Sequence, residues 1–438
     1  MNRGLRLALV IAVLALAGCT GSPSPAQTPS SGSATQGVTS MAPTQGIGTP
    51  SASTAANQTP TSPVTDLNLI IWAPKEFDPA SGTAAGDLLN ERLQAFSAQN
   101  PGVTIEVRVK ASSGPSNLLE SLSAASAAAP NALPDLVVLS RPDLEVAALK
   151  GLLTPLDGLS DIPNDPDWYD YARQLALVQN STFGVPFAGD ALVLLYRPVA
   201  VSKPPLDWDT LLAQSGPLAF PAGDREALFT LAMYRAQGGE IEDAQGRPAL
   251  SVEPLSKVFS IYKSAVSENL FPYWVGQLEN DDQSWAAYQE QRANIVVSWV
   301  SRYLMTLPPD TIAQPLPAVS QSSLTMASGW LFALGNPDTA RHPISVKLAE
   351  FLVESDFLAD WTQAAGYLPT RPTALAGWSD QATQTFLSQV VLSAQARPKS
   401  DLILSLGPVL RDATIEILKG QSDPTETAQT ASDRLAAP

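Results

Sequence analysis

The stretch PDLVVLS at residues 134–140 is the most informative part of the sequence about the fold. Its four consecutive apolar residues are typical of a strand that is buried on both faces of a parallel sheet. Upstream of it, apolar residues recur at helical spacing around residues 117–128, and residues 103–109 alternate like a half-buried strand. A further helical pattern at residues 88–96 follows the apolar run LNLIIW at residues 67–72. This alternation of strand and helix predicts an α/β fold with a largely parallel sheet.

The pattern continues downstream with a larger share of helix. Short apolar strands are predicted at residues 183–187 and 192–196, with Ala188-Gly189-Asp190-Ala191 as the connection between them. Further strands are predicted at residues 294–299 and 328–334, and further helices at residues 227–237, 253–267, 344–354, 380–396, 403–419 and 425–435.

The composition excludes several functional classes. The 438 residues are 45% hydrophobic, which is ample for a sizeable core in two or three domains. With 42 acidic and 26 basic residues, the net charge of −16 repels phosphate backbones, so no nucleic acid partner is expected. One Cys and one His cannot supply a disulfide or a Cys/His metal site, and a Ser-His-Asp triad would depend on His342 alone. We interpret His342 as an exposed residue at a helix start, and we predict no catalytic residue, no metal site and no cofactor.

The N-terminus has the pattern of a secretion signal. Two arginines precede ten apolar residues, 7–16, a run that is too short to span a bilayer as a helix. The tetrapeptide LAGC at residues 16–19 resembles a bacterial lipobox, and it contains the only cysteine of the chain. Residues 1–18 are therefore predicted to be a signal peptide, and Cys19 is predicted to carry the lipid.

The segment that follows Cys19 contains no charged residue as far as Thr65. It consists mainly of Ser, Thr, Pro, Ala, Gly and Gln, so it cannot bury enough apolar surface to offset the entropy of ordering. Residues 19–65 are therefore predicted to be the lipidated cysteine and a disordered tether. The expected location is the extracytoplasmic face of the cell membrane, held there by the lipid anchor.

Several phrases of the folded body recur in a characteristic order. They are IIW at 70–72 with PGVTIEV at 101–107, PDLVVL at 134–139, GLLTPLD at 151–157, FGVPF at 183–187 with YR at 196–197, and AAGYLPTR at 364–371. In their order and spacing, these phrases resemble the extracellular solute-binding proteins, family 1. That family comprises receptors of ABC importers, and maltose-binding protein is its best-known member.

This resemblance implies a two-lobed, periplasmic-binding-protein-like α/β fold with hinge crossings between the lobes. Alignment of the phrases assigns residues 66–188 plus 296–327 to the first lobe and residues 189–295 plus 328–438 to the second. The ligand would bind between the lobes of a monomer. The implied partners are two permease subunits and, across the membrane, an ATPase.

Candidate ligand-binding residues follow from strand ends and hinge positions. Open α/β sheets bind ligands at the carboxyl ends of their strands. On that basis, together with one second-lobe loop, the candidates are Trp72, Ser140, Arg141, Asp190, Trp274, Trp299, Arg302 and Trp330. Tryptophan faces beside scattered polar groups suit a sugar, which has an apolar C–H face and hydroxyls at its rim. The predicted function is a non-enzymatic receptor that delivers a small polar solute, a sugar or oligosaccharide, to an ABC importer.

Several alternatives stay open at this point. A tryptophan at a strand end is as often part of a core edge, arginines are often ion-paired, and Asp190 could simply cap the hinge backbone. A glycosidase-like lipoprotein hydrolase is compatible with the many acidic residues. The ligand could instead be a polyamine, a peptide-like solute, or a metal bound through Tyr169 and Tyr171. The Ser260-x-x-Lys263 motif of penicillin-recognising enzymes lies in a helical pattern and is interpreted as chance.

Overall fold

A computed structural model of the chain describes residues 66–201, 203–214, 216–319 and 323–436. The predicted signal peptide, Cys19 and the tether lie outside the described residues. Among the helices of these ranges, none combines the length and the apolar character that crossing a bilayer requires.

Strands and helices alternate along the described chain. The strands are β1 (Leu67–Pro74), β2 (Val103–Lys110), β3 (Leu136–Ser140), β4 (Leu177–Val178), β5 (Ser181–Thr182), β6 (Val185–Tyr196), β7 (Leu218–Ala219), β8 (Ile295–Trp299), β9 (Ile312–Gln314), β10 (Thr325–Leu334) and β11 (Ala394–Ala396). The helices are α1 (Ala84–Gln99), α2 (Leu118–Ala128), α3 (Arg141–Leu149), α4 (Asp170–Leu175), α5 (Trp208–Leu212), α6 (Leu228–Ala236), α7 (Val252–Ser267), α8 (Asp281–Gln289), α9 (Val300–Thr306), α10 (His342–Phe351), α11 (Ser355–Ala365), α12 (Pro372–Ala376), α13 (Gln381–Ser393), α14 (Ser400–Leu418) and α15 (Pro424–Ala436).

The main sheet has the strand order β2-β1-β3-β10-β6-β8-β7. The β2, β1 and β3 strands are parallel, as the strand–helix alternation predicts. The β10 strand is antiparallel to both of its neighbours, β3 and β6, and β6 is antiparallel to β8. The α/β class is therefore confirmed, with a mixed sheet in which two long antiparallel strands occupy the centre.

The β6 strand is continuous where the sequence predicts two strands and a connection. Residues 188–191 form the middle of this strand. Here Gly189 exchanges backbone hydrogen bonds with Leu368 in both directions, at 2.8 and 2.9 Å. A Cβ atom at Gly189 would collide with the Tyr171 hydroxyl and the Leu368 carbonyl. Only glycine therefore permits the close approach of the loop that carries Leu368. Polar and small residues here mark a tightly packed strand centre rather than a turn.

Two hydrophobic cores lie on either side of this strand. The first is built around β1, β3 and the N-terminal half of β6, with α1–α4 and α10–α13 packed on them, and it includes Val137 and Trp361. The second surrounds α5–α7, α14 and α15 and includes Tyr262 and Leu410. Alternate residues of the C-terminal half of β6, beginning at Leu192, face this second core. The second core lies within the second lobe, whereas the first core fills the first lobe and continues along α8 and one face of β8, where it includes Tyr288 and Val296.

The structure divides the later part of the chain between the lobes differently from the predicted boundaries. Residues 328–334 of β10 pair with β3 and β6, and α10–α13 pack in the first core, although residues 328–438 were all expected in the second lobe. Residues 295–299 and 312–314 pair with the second-lobe half of β6, although 296–327 were expected in the first lobe. An apolar run is equally suited to either core, so its sequence does not reveal which sheet it joins.

The chain consequently passes between the lobes at three places, which we call the three crossings. The first is in β6 at residues 189–192, and the second is in β10 at residues 326–329. The third is the segment 397–400 between β11, which pairs with β10, and α14 in the second core. The first two crossings lie side by side, because Asp190 pairs with Ser328 and Gly189 with Gly329.

Candidate functional site

A cavity of about 240 Å³ lies against the first two crossings. Its position follows from the sheet, since Trp330 of β10 pairs with Ser140 at the end of β3. Residues of both lobes and of the crossings form its wall: Ser140, Pro142, Asp190, Glu226, Leu228, Trp299, Ser328, Gly329, Trp330 and Arg397. We call this cavity the crossing pocket. It has the interlobe position that the resemblance implies for a ligand.

A second cavity of about 390 Å³ adjoins the crossing pocket and shares Glu226, Leu228 and Trp299 with it. Its other wall residues all belong to the second-lobe side: Leu192, Pro221, Asp224, Phe229, Asn280, Asp281, Asp282, Val297 and Arg302. We call it the second-lobe pocket. Together, the two cavities form one cleft with Trp299 at the boundary between them.

Trp299 and Trp330 are the two tryptophans of this cleft. Trp299 is the last residue of β8 and pairs with Leu192 of the first crossing. The Trp330 ring packs edge-on against Phe77 at 5.3 Å between ring centroids, which fixes its orientation. Both side chains are half-buried. A half-buried aromatic ring that also lines a cavity retains a face for a ligand.

Asp190 lies in the first crossing, where its carboxylate holds the start of α9. It accepts hydrogen bonds from the Ala191 and Ser301 backbone N–H groups, each at 3.0 Å, and from the Ser301 hydroxyl at 2.5 Å. Burial raises the pKa of Asp190 to about 7. The negative charge of Asp281 also raises this pKa, whereas the hydrogen bonds from Ser301 and Ala191 lower it. Asp190 therefore lines the crossing pocket and also caps backbone at the hinge.

Ser140 forms the N-cap of α3 at the end of β3. Its hydroxyl accepts from the Asp143 N–H at 3.3 Å and donates to the Asp143 carboxylate at 2.9 Å. Burial raises the pKa of Asp143. The cap holds Ser140 at the pocket wall with its oxygen in a fixed position.

Arg302 lines the second-lobe pocket but is occupied by acidic partners. Its guanidinium donates to the Asp281 carboxylate at 3.1 and 3.2 Å, and it also bonds to Asp282. Asp281 in turn accepts from the Ser298 hydroxyl at 2.6 Å. These contacts leave the arginine neutralised by two carboxylates, with Asp282 exposed to solvent.

Two of the predicted site residues lie outside both pockets, in the first lobe. Trp72 is inside β1 and is 5% exposed, and the Lys110 ammonium lies 4.5 Å from its ring centroid. Arg141 is also 5% exposed, and it donates to Glu145 at 3.0 Å and to the Leu177 carbonyl at 3.1 Å. Neither residue lines the crossing pocket or the second-lobe pocket.

Trp274 is likewise absent from the walls of the two pockets. It lies in a short 3-10 helix, Tyr273–Gln277, and is partly buried against both cores. The Arg292 guanidinium lies 5.1 Å from its ring centroid. The structure therefore brings Ser140, Asp190, Trp299, Arg302 and Trp330 together and leaves Trp72, Arg141 and Trp274 elsewhere.

Sequence reasoning missed Glu226 and Arg397, which form a 2.9 Å ion pair in the wall of the crossing pocket. Both follow strand ends, since Glu226 lies in the loop after β7 and Arg397 directly follows β11. The strand-end rule would have found them, but β7 has two residues and β11 has three. Strands this short leave no periodic pattern.

Arg397 belongs to a buried polar network at the third crossing. Its guanidinium donates to the Ser400 hydroxyl at 3.4 Å. The Glu145 carboxylate accepts from the Ser400 N–H at 3.1 Å and from its hydroxyl at 3.0 Å, and it also pairs with Arg141. The network thus links α3 of the first lobe to the start of α14 in the second lobe and ends at Glu226 in the cleft.

The residues behind the enzyme and metal alternatives have structural roles. His342 begins α10 as predicted but is 5% exposed rather than solvated, and its Nε2 lies 2.8 Å from the Asn336 carbonyl oxygen. Ser260 donates to the Ser256 carbonyl within α7. Tyr171 donates to the Pro369 carbonyl at 2.9 Å in the core. Across the described ranges, no group of three or more His, Cys, Asp and Glu side chains is arranged to hold a metal ion.

Comparison with known proteins agrees with this architecture. Residues 91–386, more than half of the chain, match the model of the bacterial extracellular solute-binding protein family. A binding protein of Brucella abortus (strain 2308) is 22% identical over 311 residues, which cover 65% of this chain and 72% of that protein.

Solved structures with the same fold include two proteins named for maltose-type sugars. The cyclic alpha-maltosyl-1,6-maltose binding protein from Arthrobacter globiformis superposes with a TM-score of 0.69 at 16% identity, covering 84% of this chain and 98% of that chain. The maltose-binding periplasmic protein MalE from Listeria monocytogenes, in complex with maltose, superposes with a TM-score of 0.68 at 12% identity, covering 84% and 97%.

Two lobes, crossing strands and a cleft between them define a class of binding proteins that enclose a ligand between domains. Within this class, the chain belongs to the bacterial extracellular solute-binding protein family, so the predicted resemblance is confirmed. The family is extracellular, which places the folded body outside the cytoplasm.

Proposed function

We propose that this protein is a receptor that binds a sugar or oligosaccharide in the interlobe cleft and delivers it to an ABC importer. The observation that carries the proposal is the pair of half-buried tryptophans, Trp299 and Trp330, in a cavity between the lobes. The two structural neighbours described above are named for maltose-type sugars, which supports the same ligand class.

The polar groups of the cleft match the needs of a stacked sugar ring. A pyranose stacked on a tryptophan directs its hydroxyls sideways, where they require donors and acceptors. Ser140 and Ser328 offer hydroxyls beside Trp330, and Glu226 offers a carboxylate beside Trp299. Closure of the lobes about the three crossings would enclose the ligand and present both lobes to the permease subunits.

A thermal-shift screen of the purified protein tests this proposal. A ligand that binds the folded state stabilises it by about 2.7 kcal/mol at 100 times its Kd, so a cognate sugar raises the melting temperature in a concentration-dependent way. The panel contains maltose, maltotriose, cellobiose, amino acids, polyamines and divalent metals. A shift produced by an amino acid or a metal, with none produced by any sugar, contradicts the proposal.

The proposed receptor is held at the membrane by a lipid on Cys19. This part of the proposal rests on the lipobox-like LAGC sequence and the short apolar run before it. Replacement of Cys19 by Ser should prevent lipidation and release the protein from the membrane fraction. A variant that stays in the membrane pellet at the normally processed size contradicts the anchor and leaves the sugar proposal intact.

A further inference from the structure

The second-lobe pocket has an excess of negative charge. Its wall contains four carboxylates, those of Asp224, Glu226, Asp281 and Asp282, and one guanidinium, that of Arg302. The whole chain is acidic as well, with 42 acidic and 26 basic residues, so its long-range field attracts cations. A charge count alone does not identify a ligand, because carboxylates are often neutralised by neighbours.

The ion pairs of the described residues show which charges are already neutralised. Arg302 is bonded to Asp281 and Asp282, and Arg397 is bonded to Glu226. Each guanidinium at the two pockets therefore has a carboxylate partner, and neither is available for an anionic ligand. A phosphate or carboxylate on the ligand would have to displace one of these pairs while facing the remaining acids.

Asp224 is the carboxylate of this wall that forms no direct ion pair among the described residues. One of its oxygens accepts from the Glu226 N–H at 3.2 Å, as in an Asx turn. Burial raises the pKa of Asp224, and the nearby charge of Glu226 raises it further, against hydrogen bonds and the Arg397 charge, which lower it. A positive charge in the pocket would stabilise the ionised form of Asp224 and so offset the effect of burial.

Trp299 provides a second, independent reason to expect a positively charged ligand group in this pocket. Its half-buried ring lines the same pocket as the carboxylates of Asp224 and Glu226. An aromatic face attracts an ammonium group through its quadrupole, by about 0.5–2 kcal/mol depending on desolvation. A ring bordered by carboxylates, with the neighbouring guanidiniums already occupied, is suited to a protonated amine.

From these observations we infer that the second-lobe pocket binds the protonated amine of an amine-bearing sugar. The inference rests on the proposed function, because it assigns a chemical class to the sugar in the same cleft. The sugar ring occupies the crossing pocket between Trp330 and Trp299, and the amine lies in the second-lobe pocket near Asp224. Neutral sugars bind more weakly, and acidic or phosphorylated sugars are rejected.

Isothermal titration calorimetry on the full chain in detergent tests the inference at neutral pH and low salt. The probes are the β-1,4-linked glucosamine disaccharide, cellobiose as its neutral counterpart, cellobiouronic acid as an anionic counterpart, maltose as a second neutral sugar, and spermidine as an amine without a sugar. We expect the glucosamine disaccharide to bind at least about tenfold more tightly than cellobiose, and this preference to decrease as salt is added.

Asp224→Asn is the decisive variant, because the amide oxygen can still accept the Glu226 N–H while the charge is lost. We expect it to reduce the tenfold preference to about threefold or less. Asp338→Asn is the matched control, since Asp338 accepts the Ala340 N–H in a similar turn and lines neither the second-lobe pocket nor the crossing pocket. The control should keep the preference of the parent chain.

Each other outcome has a distinct meaning. Cellobiose or maltose binding as tightly as the glucosamine disaccharide, or a preference that Asp224→Asn leaves unchanged, overturns the inference and leaves the sugar proposal standing. If spermidine binds and none of the sugars does, the assignment to sugars is wrong, and both proposals are overturned. An unchanged heat signal with every sugar contradicts the proposed function, and the inference falls with it.

Discussion

The two walls of the cleft differ in chemistry. The first-lobe wall consists of small or apolar groups, with Ser140 and Pro142 beside Trp330. The second-lobe wall is crowded with charge, from Asp224 and Glu226 to the Arg302 cluster. In the proposed receptor, the two lobes would therefore have different roles in ligand recognition: the first would provide an apolar surface with a hydroxyl, and the second would select the ligand by its charge.

The largest loss of stability is expected when the polar network that joins the two walls at the third crossing is removed. Glu145→Ala leaves Arg141 buried without its carboxylate and removes the acceptor for Ser400. Breaking one partner of a buried ion pair costs about 3–5 kcal/mol. Urea denaturation should show a loss of this size, and a loss under about 1 kcal/mol would mean that the network does not hold the lobes together.

Removal of either cleft tryptophan tests whether both walls contact the ligand. Trp299→Ala and Trp330→Ala should each weaken sugar binding by about thirtyfold or more, since buried aromatic anchors contribute about 2 kcal/mol or more. Trp330→Ala should also lower the melting temperature, because the ring packs against Phe77.

Trp72→Ala is the control for this pair, since Trp72 lies in the core of the first lobe and not in the cleft. It should cost about 3–5 kcal/mol of stability without changing the affinity of the folded protein. Unchanged affinity in both cleft variants, with a large fall in melting temperature, would move Trp299 and Trp330 from the binding site to the core.

The pH dependence of the free energy of unfolding tests the raised pKa of Asp190, which lies between the two walls. Because the pKa of this carboxyl is about 7 in the fold and 3.8 as its ordinary value, the folded state holds one more proton than the unfolded state in the interval between them. The free energy of unfolding contributed by Asp190 therefore decreases as the pH rises from about 4 to about 7, by roughly 3 kcal/mol.

Asp190→Asn removes this titration and keeps an acceptor for the Ser301 N–H. Its stability relative to the parent should improve as the pH is raised across that range, as measured by urea denaturation at several pH values. Parallel pH profiles for the parent and the variant would show that Asp190 titrates at its ordinary value.

The smallest effect is expected at the rim of the charged wall. Asp282→Asn removes an exposed partner of Arg302, while the less exposed Asp281 keeps its contact. Exposed ion pairs contribute about 0–1 kcal/mol, so stability should change by less than about 1 kcal/mol. A larger loss in thermal denaturation would show that the three residues act as one unit.

Each wall of the cleft could be predicted from the sequence only in part. In the first lobe, the long apolar strands β1 and β3 produce clear patterns, but of the candidates at their ends only Ser140 lines a pocket, and Trp72 and Arg141 do not. Trp299 at the end of β8 and Arg302 just after it line the second-lobe pocket. In the second lobe, the two-residue strand β7 is invisible to periodicity, so Glu226 after it was missed. The predicted helix 380–396 ends at Ser393, and the strand that follows carries the chain to Arg397.

Strand ends alone also do not distinguish a cleft from a core. Trp72 and Trp299 both lie near the carboxyl ends of apolar strands, yet Trp72 is covered by the first core and Trp299 borders open space. The difference depends on what packs above each strand, which is a tertiary property. The same holds for Arg141, whose partner Glu145 is one helical turn away in α3 and holds it in the interior.

The continuous β6 strand has a mechanical consequence. Its 12 residues extend for about 40 Å, and Gly189 divides them into arms of about 13 and 23 Å. A bend of only about 10° at that point displaces the far end of the longer arm by about 4 Å, which exceeds the length of a hydrogen bond. In the proposed receptor, opening and closing of the cleft would therefore require only small torsional changes in a few residues, and a side chain at Gly189 would restrict the movement of both arms.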